Sequence, residues 1–460
     1  MLPFLDRIPE RGRLQRLYAR AEGSLAVLFG RRRCGKSRLL VETLPRQQSV
    51  YFVADEREAP VQRAALAVEI GRLLSGFEKV HYPDWDSLLD RWWNGAPRGA
   101  VLVLDGFQAL ATGASELPSL LQRYQDTRRD RGCHLVLSGS SQRLMQGLLL
   151  DRTAPLFGRA TELMKISPLE AGWIGAALGL DANPIECVES YATWGGVPRY
   201  WELAADFAER TEAVKALVLD PLGVLHREPE MLLLDDVRDP AQSASILVLV
   251  GAGCHRVSEI AGRLGKPASS LARPLQRLLD LELIRRDRPF GTSFRDTKKS
   301  LYRIADPFLR YWFRYVAPNR SRLEARLIRP VADSILRDES RHVAEAWEDL
   351  ARASVPRLGL FGREWNPASP WWGNGRDGCP LEVDLVTDST DGTALLVGSV
   401  KWEEETRLPR TAAALAAQVE QLPFVEGRQV HLALWVKRSH GESPAGCEVL
   451  DPGKVLKVLR

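Results

Sequence analysis

Residues 24–40 read "SLAVLFGRRRCGKSRLL", and this stretch decides the fold of the N-terminal part of the chain. An apolar run leads into a glycine-bounded loop, which is followed by an apolar pattern typical of a helix. Gly30, Gly35, Lys36 and Ser37 fit the spacing G-x-x-x-x-G-K-[ST]. In such a loop the backbone N–H groups surround phosphate oxygens, the lysine reaches the β and γ phosphates, and the hydroxyl binds Mg²⁺. The stretch therefore predicts a phosphate-binding loop between a buried strand and a helix.

All residues of this loop are candidates for nucleotide binding. They are Gly30, Arg31, Arg32, Arg33, Cys34, Gly35, Lys36, Ser37 and Arg38. Cys34 lies near a helix N-terminus, an environment that activates thiols and would suit a redox switch. The alternative is that Cys34 is a small side chain that fills space.

Two further apolar strands carry polar residues at their ends. In "GAVLVLDGFQAL" (residues 99–110) the apolar run ends at Asp105, which we expect on the Mg²⁺ side of the site. In "CHLVLSGSS" (residues 133–141) Ser138 or Ser140 is a candidate sensor of the γ phosphate. Arg159, in "PLFGRATEL" (residues 155–163), is either a catalytic arginine that stabilises charge or one partner of a surface ion pair.

These stretches, together with "FLDRIPERGRLQRL" (residues 4–17) and "WGGVPRY" (residues 194–200), resemble the archaeal-type ATPases, a branch of the signal-transduction ATPases with numerous domains. The resemblance implies ATP and Mg²⁺ as ligands. It also implies a helical lid beside the nucleotide, with Arg199 as a nucleotide contact or, alternatively, a structural ion pair. In this family the corresponding strand usually ends in Asp-Glu-Phe. This chain has Asp105, Gly106 and Phe107 there, with Gly106 in place of the glutamate.

The missing glutamate should affect hydrolysis more than binding. A residue that positions or activates water contributes about 10²–10⁴-fold to a rate, while Lys36, Ser37 and Asp105 are all present. "YFVADEREA" (residues 51–59) is another strand, and it runs into Asp55, Glu56 and Glu58. Glu56 could replace the missing glutamate from this neighbouring strand. The alternative is that these acids form a solvated loop. We therefore expect ATP binding with slow or absent hydrolysis.

The segment that begins near residue 243 has the apolar spacing of a helix–turn–helix followed by a hairpin, which predicts a winged helix. Residues 256–303 contain 12 Lys/Arg and 5 Asp/Glu, a net charge of +7, and this favours DNA binding through phosphate contacts. Pro274 lies in the expected recognition helix, so the helix either starts late or is kinked. The alternative function is a protein-binding module with solvated charge. The candidate DNA-binding residues are Ser269, Ser270, Arg273, Arg277, Arg288, Arg295, Lys298 and Lys299.

The C-terminal part resembles the domain of unknown function that follows the archaeal-type ATPase, itself similar to the restriction-endonuclease-like nucleases. In those nucleases an acid and a (D/E)-x-K pair bind Mg²⁺ and orient water. By that resemblance Glu348, Asp384 and Lys401 match, but Ser399 stands where the second acid belongs. Because a hydroxyl lacks the negative charge that a hard cation prefers, we expect a degenerate site with little or no cleavage.

Composition limits the other possibilities. The chain is 45% hydrophobic and 27% charged, as in ordinary globular proteins. No apolar run approaches the roughly 18 residues of a membrane helix, and the first residues lack the apolar core of a signal peptide. The six cysteines are scattered without a C-x-x-C pair, which favours reduced thiols and a cytoplasmic location and argues against a zinc module.

We therefore predict an α/β P-loop ATPase core with a parallel sheet (residues 1–165), a helical lid (166–240), a winged helix with a connecting helix (241–330) and an α/β nuclease-like domain (331–460). The main hypothesis is an ATP-binding switch in which nucleotide alters how the C-terminal half binds DNA or a partner. Two alternatives stay open at this point. One is an ATP-dependent DNA-cleaving enzyme of defence or mobile elements, and the other is an inhibitory or antitoxin-like protein-binding module.

Overall fold

The computed structural model describes residues 2–140, 145, 147, 151–236, 239–293, 299–439 and 442–460. The chain divides into two units, residues 6–168 and residues 169–460 together with residues 1–5. Each unit is described below by itself. The finer division into four domains stays a prediction.

The first unit is a parallel α/β sheet. Its strand order is β2-β3-β4-β1-β5, and every neighbouring pair is parallel. Strands β1, β3 and β4 are buried along their whole length, which explains their nearly continuous apolar sequence. The elements of this unit are α1 (Ile8–Tyr18), β1 (Leu25–Phe29), α2 (Lys36–Thr43), β2 (Ser49–Val53), α3 (Ala59–Gly71), α4 (Trp85–Gly95), β3 (Val101–Asp105), α5 (Phe107–Gly113), α6 (Leu117–Thr127), a 3₁₀ turn (Arg129–Arg131), β4 (His134–Gly139) and β5 (Glu162–Lys165).

Helices cover the sheet of the first unit and bury aromatic side chains against it. Helix α4 begins where the Asp84 side chain accepts a hydrogen bond from the Ser87 backbone N–H at 2.8 Å, an N-cap. Its buried face carries Trp85, Trp92 and Trp93 into the main core cluster. This core holds the carboxyl ends of the parallel strands in fixed positions, and in α/β sheets these ends form the binding edge.

The second unit begins with short helices. Helix α8 starts at the N-cap Asn183, whose side chain accepts from the Glu186 N–H. The elements up to residue 251 are a 3₁₀ turn (Ala171–Trp173), α7 (Ile174–Leu178), α8 (Pro184–Trp194), α9 (Pro198–Ala204), α10 (Arg210–Val214), a π-helical turn (Lys215–Leu219), α11 (Glu228–Asp236) and α12 (Pro240–Gly251).

The predicted winged-helix arrangement is present in the second unit. Two helices are followed by the antiparallel hairpin of β6 and β7. The recognition helix starts late, at Ala272, so Pro274 lies in its first turn, where the backbone N–H groups have no partner within the helix. The elements are α13 (Val257–Leu264), a 3₁₀ turn (Ala268–Leu271), α14 (Ala272–Asp280), β6 (Ile284–Asp287) and β7 (Leu301–Ile304).

A connecting region and a mixed sheet complete the second unit. The sheet order is β12-β11-β10-β9-β8; β8, β9 and β10 pair antiparallel, whereas β10, β11 and β12 pair parallel. The elements are α15 (Pro307–Tyr311), a π-helical turn (Trp312–Val316), a 3₁₀ turn (Ala317–Asn319), α16 (Arg320–Glu324), α17 (Ile328–Leu358), a 3₁₀ turn (Leu360–Gly362), β8 (Ser369–Asn374), β9 (Pro380–Asp388), β10 (Ala394–Lys401), α18 (Leu408–Glu420), β11 (Gln429–Val436), β12 (Cys447–Leu450) and α19 (Pro452–Val458). The predicted fold class, a parallel α/β core followed by a separate α/β module, is confirmed.

Candidate functional site

The phosphate-binding loop curls around the amine of Lys36. The lysine is buried, and its Nζ donates to the carbonyl oxygens of Gly30 at 2.7 Å and Arg31 at 3.0 Å. Position 30 must be glycine, because its φ is +143° and a Cβ would lie 2.4 Å from the carbonyl oxygen of Ile166. The sequence therefore builds a tight loop with a positive charge at its centre, at the carboxyl end of β1.

Ser37 and Asp105, which the sequence places 68 residues apart, meet at this edge of the sheet. The Ser37 hydroxyl donates to Oδ2 of Asp105 at 2.6 Å. Both belong to elements that end or begin at the carboxyl edge of the sheet, α2 after β1 and the last residue of β3. A hydroxyl and a carboxylate are the oxygen donors that Mg²⁺ takes in addition to water and substrate phosphates.

The backbone at Gly106 disfavours a side chain. Its φ is +76°, and a Cβ would lie 2.9 Å from the carbonyl oxygen of Ala54. The same segment is fixed because the Ala54 N–H donates to the Asp105 carbonyl at 2.7 Å. The absence of the family's glutamate is therefore accompanied by a left-handed backbone that does not suit one.

The possible substitute Glu56 lies on the segment that follows β2, at the same edge of the sheet as Asp105. Val53 is the register partner of Asp105, which places residues 54–56 directly beyond the binding edge. The Glu56 side chain is exposed, while Asp55 pairs with Arg57 at 2.7 Å. The geometry brings Glu56 to the right edge but gives it no fixed orientation, and its catalytic role stays a prediction.

The sequence analysis missed Tyr51. Its hydroxyl donates to Oδ2 of Asp105 at 2.5 Å, the same oxygen that accepts from Ser37. Burial, and then the charge of Asp105, raise the pKa of this phenol well above its ordinary value, so the hydroxyl remains a donor. The sequence could have pointed to Tyr51, because this residue lies on strand β2, beside the strand β3 that ends in Asp105.

The two predicted sensor serines lie on β4 and just beyond it. Ser138 is the register partner of both Asp105 and Leu28, so it sits between the loop strand and the acid strand. It is fully buried, and its hydroxyl has no hydrogen-bond partner among the residues that the structure describes. The Ser140 hydroxyl instead accepts from Gln108 Nε2 at 3.2 Å. Ser138 is therefore the better placed of the two candidates.

The structure corrects the expectation for Arg159. This arginine pairs with Asp126 at 3.0 Å. It precedes β5, whose first residue Glu162 lies beside Ala26 near the start of β1. Since a strand rises about 3.3 Å per residue, the length of β1 separates Arg159 from the phosphate loop. It is not placed to contact a nucleotide on its own loop, and the surface ion pair is what forms.

The remaining loop residues differ in exposure. Arg32 is exposed, whereas Arg31, Arg33 and Arg38 are half-buried. Cys34 is fully buried, which does not suit a redox switch that must meet an oxidant.

The sequence analysis also missed Arg7. Its buried guanidinium donates to the carbonyl oxygens of Cys34 at 3.1 Å and Ser167 at 2.6 Å. It thereby connects the N-terminal segment to the back of the phosphate loop. The signal was Arg7's place in the stretch "FLDRIPERGRLQRL", which the sequence analysis used for resemblance only.

On the winged helix, the predicted DNA-binding residues fall into two groups. Ser269, Ser270 and Arg273 are exposed at the start of the recognition helix α14, with Arg277 half-buried one turn further. In the wing, Arg288 is half-buried and Lys299 is exposed, while Arg295 and Lys298 lie outside the described residues.

Part of the positive charge of this segment is neutralised internally. Arg285 pairs with Asp349 at 2.6 Å, and Arg303 pairs with Asp287 at 3.2 Å. The wing is also attached to the C-terminal sheet, since the Phe290 N–H donates to the Pro370 carbonyl at 2.9 Å. Free positive charge is therefore found on α14 more than on the described part of the wing.

The structure brings together all four residues of the candidate degenerate nuclease site. Oδ2 of Asp384 accepts from the Val400 N–H at 2.8 Å and from the Ser399 hydroxyl at 3.2 Å, and Lys401 Nζ lies 3.7 Å away. Glu348 is linked to Asp384 through Arg352, which lies 3.5 Å from the Glu348 carboxylate and donates to the Asp384 carbonyl at 2.9 Å.

The charge state of this cluster follows from its burial. Burial first, and then the negative charge of Asp384, raise the pKa of Glu348 to about 7. Asp384, Ser399 and Lys401 line a cleft of about 500 Å³ beside α18, whose lining also includes Glu382, Glu403 and Glu405. Glu382 and Asp384 are alternate residues of β9 and share a face of the strand, so an assignment of the two to opposite faces is wrong. Within the described ranges, no group of three or more His, Cys, Asp or Glu side chains is arranged to hold a metal ion.

Comparison with known proteins finds a likeness in the C-terminal part. Residues 312–413 match a family described as "Archaea bacterial proteins of unknown function", DUF234. The match begins in the aromatic connecting region and runs through the β8–β10 meander into α18, so the candidate cluster of Glu348, Asp384, Ser399 and Lys401 lies within the matched residues.

Two individual proteins are similar over most of their length. The uncharacterised protein MJECL04 of Methanocaldococcus jannaschii is 26% identical over 413 residues, which cover 87% of this chain and 88% of that protein. The structure of the Walker-type ATPase PABY2304 of Pyrococcus abyssi aligns with a TM-score of 0.51 and 19% identity over 68% of this chain and 96% of that chain. At this identity the likeness shows a shared fold over the aligned part of the chain and nothing beyond the fold. None of the helices in the described part of the chain combines the length and apolarity needed to span a bilayer.

Proposed function

We propose that this chain is an ATP-binding switch that hydrolyses its nucleotide slowly or not at all. One observation carries the proposal: a complete binding loop is combined with a backbone that disfavours the water-positioning glutamate. Lys36 lies at the centre of the loop and Ser37 is bonded to Asp105. At Gly106, next to that acid, a side chain fits only if the Ala54 segment shifts, because a Cβ would lie 2.9 Å from the Ala54 carbonyl oxygen. The chain thus has the residues that bind ATP but lacks the glutamate that would orient water for hydrolysis.

Mg²⁺ fits the donor set of this site. Ser37 and Asp105 would hold the ion, which takes one or two protein oxygens and fills its remaining positions with phosphate oxygens and water. When bound, the ion would neutralise charge on the β and γ phosphates. Of the two candidate sensor serines, Ser138 is the better placed to respond to the γ phosphate, since its buried hydroxyl has no hydrogen-bond partner among the described residues.

We further propose that nucleotide binding alters how the second unit binds duplex DNA. Support comes from the exposed Ser269, Ser270 and Arg273, where hydroxyls and a guanidinium at a helix start suit phosphate contacts. Because such contacts release counterions, DNA affinity should fall steeply with salt. Binding that is absent or insensitive to salt would instead favour the inhibitory or antitoxin-like protein-binding module.

DNA cleavage is the less favoured function. One carboxylate oxygen of Asp384, Oδ2, already accepts from the Val400 N–H and the Ser399 hydroxyl and pairs with Lys401, and Ser399 stands where a second acid would be needed to hold a metal. We propose that the C-terminal module binds DNA or a partner rather than cutting. Nicking with Mg²⁺ or Mn²⁺ that is abolished by Asp384→Ala would establish the DNA-cleaving alternative in its place.

A binding titration tests the nucleotide proposal. Wild type should bind ATP with micromolar or tighter affinity, and Lys36→Ala should weaken binding at least 100-fold because it removes the only buried cation at the loop centre among the residues described. Lys79→Ala is the matched control, since Lys79 is an exposed lysine of the same unit. Equal ATP affinity in wild type and Lys36→Ala would remove the proposal.

A further inference from the structure

The second unit contains a cavity with an unusual concentration of arginine. It has a volume of about 260 Å³, and its charged or titratable lining residues are Arg303, Arg310, Arg314, Arg341, His255 and Glu345. Its walls come from the end of α12, from strand β7 of the wing, from α15 and the π-helical turn, and from α17. All of its lining belongs to the second unit, so it is a site separate from the phosphate loop.

Positive charge exceeds negative charge within this lining. Four guanidinium groups face a single carboxylate, that of Glu345. Three outer acids also reach these arginines: Asp287 pairs with Arg303, Asp349 with Arg310 and Asp338 with Arg314. Two of these acids are shared with arginines outside the lining, because Asp287 also pairs with Arg285, and Asp349 with Arg285 and Arg352. Six arginines therefore face four carboxylates. Arg341 is exposed and has no ion pair within the described part of the chain.

Arg310 supplies the second observation. It is only 6% exposed, yet its Nε has no hydrogen-bond partner among the residues that the structure describes. Buried donors in folded proteins nearly always have a partner, so a buried donor without one calls for a ligand or water. The Nη2 of Arg310 already donates to Asp349 at 2.8 Å and its Nη1 lies 3.6 Å from Glu345, so Nε is the donor left for a phosphate oxygen.

The titration of the neighbouring carboxylate agrees with this charge balance. Burial alone would raise the pKa of Glu345, but the nearby Arg310 and Arg314 hold it below its ordinary value. The pKa of His255 is lowered by burial and then by Arg303, so its ring is not a source of the positive charge. The positive potential comes from the arginines and persists across the physiological pH range, since guanidinium groups stay protonated.

We infer that this cavity binds the phosphate group of a small molecule, of the size of pyrophosphate. The volume exceeds that of several water molecules, each of which occupies about 30 Å³, so it holds a diphosphate but not a DNA duplex. A ligand here contacts the wing strand β7 and the long helix α17 at once. This site goes beyond the proposed ATP-binding function and does not depend on it.

Calorimetric titration with sodium pyrophosphate at constant ionic strength tests the site. Every protein carries Lys36→Ala, so that the phosphate loop does not contribute. The background protein should bind pyrophosphate saturably, and adding Arg341→Ala should weaken the affinity at least tenfold. Arg337→Ala is the matched control, because Arg337 is an exposed arginine one turn away on α17 that does not line the cavity.

A variant that gains affinity guards against loss through misfolding. Glu345→Gln removes the only negative charge of the lining and should tighten pyrophosphate binding severalfold. No saturable binding at millimolar pyrophosphate, or equal loss in Arg341→Ala and Arg337→Ala, would overturn the inference. Displacement of pyrophosphate by duplex DNA would also overturn it, because the phosphate recognised would then belong to the DNA backbone.

Discussion

The backbone at residue 106 makes a prediction that runs against the obvious repair of this site. Gly106→Glu supplies the glutamate that the resembling ATPases carry at this position, but we expect it to destabilise the first unit and not to accelerate hydrolysis. A left-handed conformation costs an L-residue about 1–2 kcal/mol. The added Cβ would also lie 2.9 Å from the Ala54 carbonyl oxygen, so this segment must shift.

That shift would strain the hydrogen bond from the Ala54 N–H to the Asp105 carbonyl, which is 2.7 Å long. Such a bond contributes about 1 kcal/mol. The expected loss in the free energy of unfolding is therefore about 2–3 kcal/mol, and Gly106→Ala should lose nearly as much as Gly106→Glu because both add the same Cβ.

Urea denaturation of both variants measures this loss, and single-turnover hydrolysis measures the rate. Gly113→Ala is the matched control, because Gly113 lies in helix α5 without a positive φ, and a Cβ added there would meet nothing within 4 Å among the described residues. It should be neutral or slightly stabilising. Gly106→Ala with wild-type stability, or Gly106→Glu with hydrolysis more than about 100-fold faster, would refute the reasoning.

Three further predictions concern other residues. Tyr51→Phe should weaken Mg²⁺-dependent ATP binding about tenfold, through loss of the hydrogen bond that orients Asp105, and leave affinity in EDTA unchanged; equal affinities with Mg²⁺ would contradict this. The raised pKa of Glu348, about 7, means that the native state binds its proton more tightly, so stability falls as pH rises toward and through 7. In urea denaturation, the free energy of unfolding of Glu348→Gln relative to wild type should therefore be about 1–2 kcal/mol higher at pH 8 than at pH 5. This value starts from about 1.4 kcal/mol per pKa unit and is reduced because solvent reaches this side chain. A pH dependence equal to that of wild type would contradict it. Arg273→Ala should weaken DNA binding and reduce the salt slope by about 1, measured by fluorescence anisotropy at several salt concentrations, and an unchanged slope would remove Arg273 from the interface.

Motif spacing and the rule for parallel sheets were enough to predict the phosphate loop and the acid beside it. The loop from Gly30 to Ser37 and the acid at Asp105 follow from motifs that terminate buried strands, and their meeting follows from the shared edge of a parallel sheet. The winged helix followed from apolar periodicity, and the doubt about Pro274 is resolved because helix α14 starts late enough to place it in the first turn.

Contacts between distant segments could not be predicted in this way. Tyr51 reaches Asp105 only because β2 lies beside β3, and Arg7 reaches the back of the loop across 27 residues. Whether Arg159 can reach the phosphate loop depends on whether it lies at the carboxyl edge of the sheet or at the opposite edge. A single sequence carries no signal for that. The left-handed backbone at Gly106 likewise depends on Ala54, which belongs to another strand connection.

The central claim is that this chain holds ATP without turning it over quickly, and single-turnover hydrolysis with enzyme in excess and Mg²⁺ present tests it most directly. Efficient enzymes turn over at about 1–10³ per second. The account predicts that wild type binds ATP and hydrolyses it at least about 100-fold more slowly than the lower end of that range. Hydrolysis at about 1 per second or faster, abolished by Glu56→Ala, would contradict the account and assign the water-positioning role to Glu56.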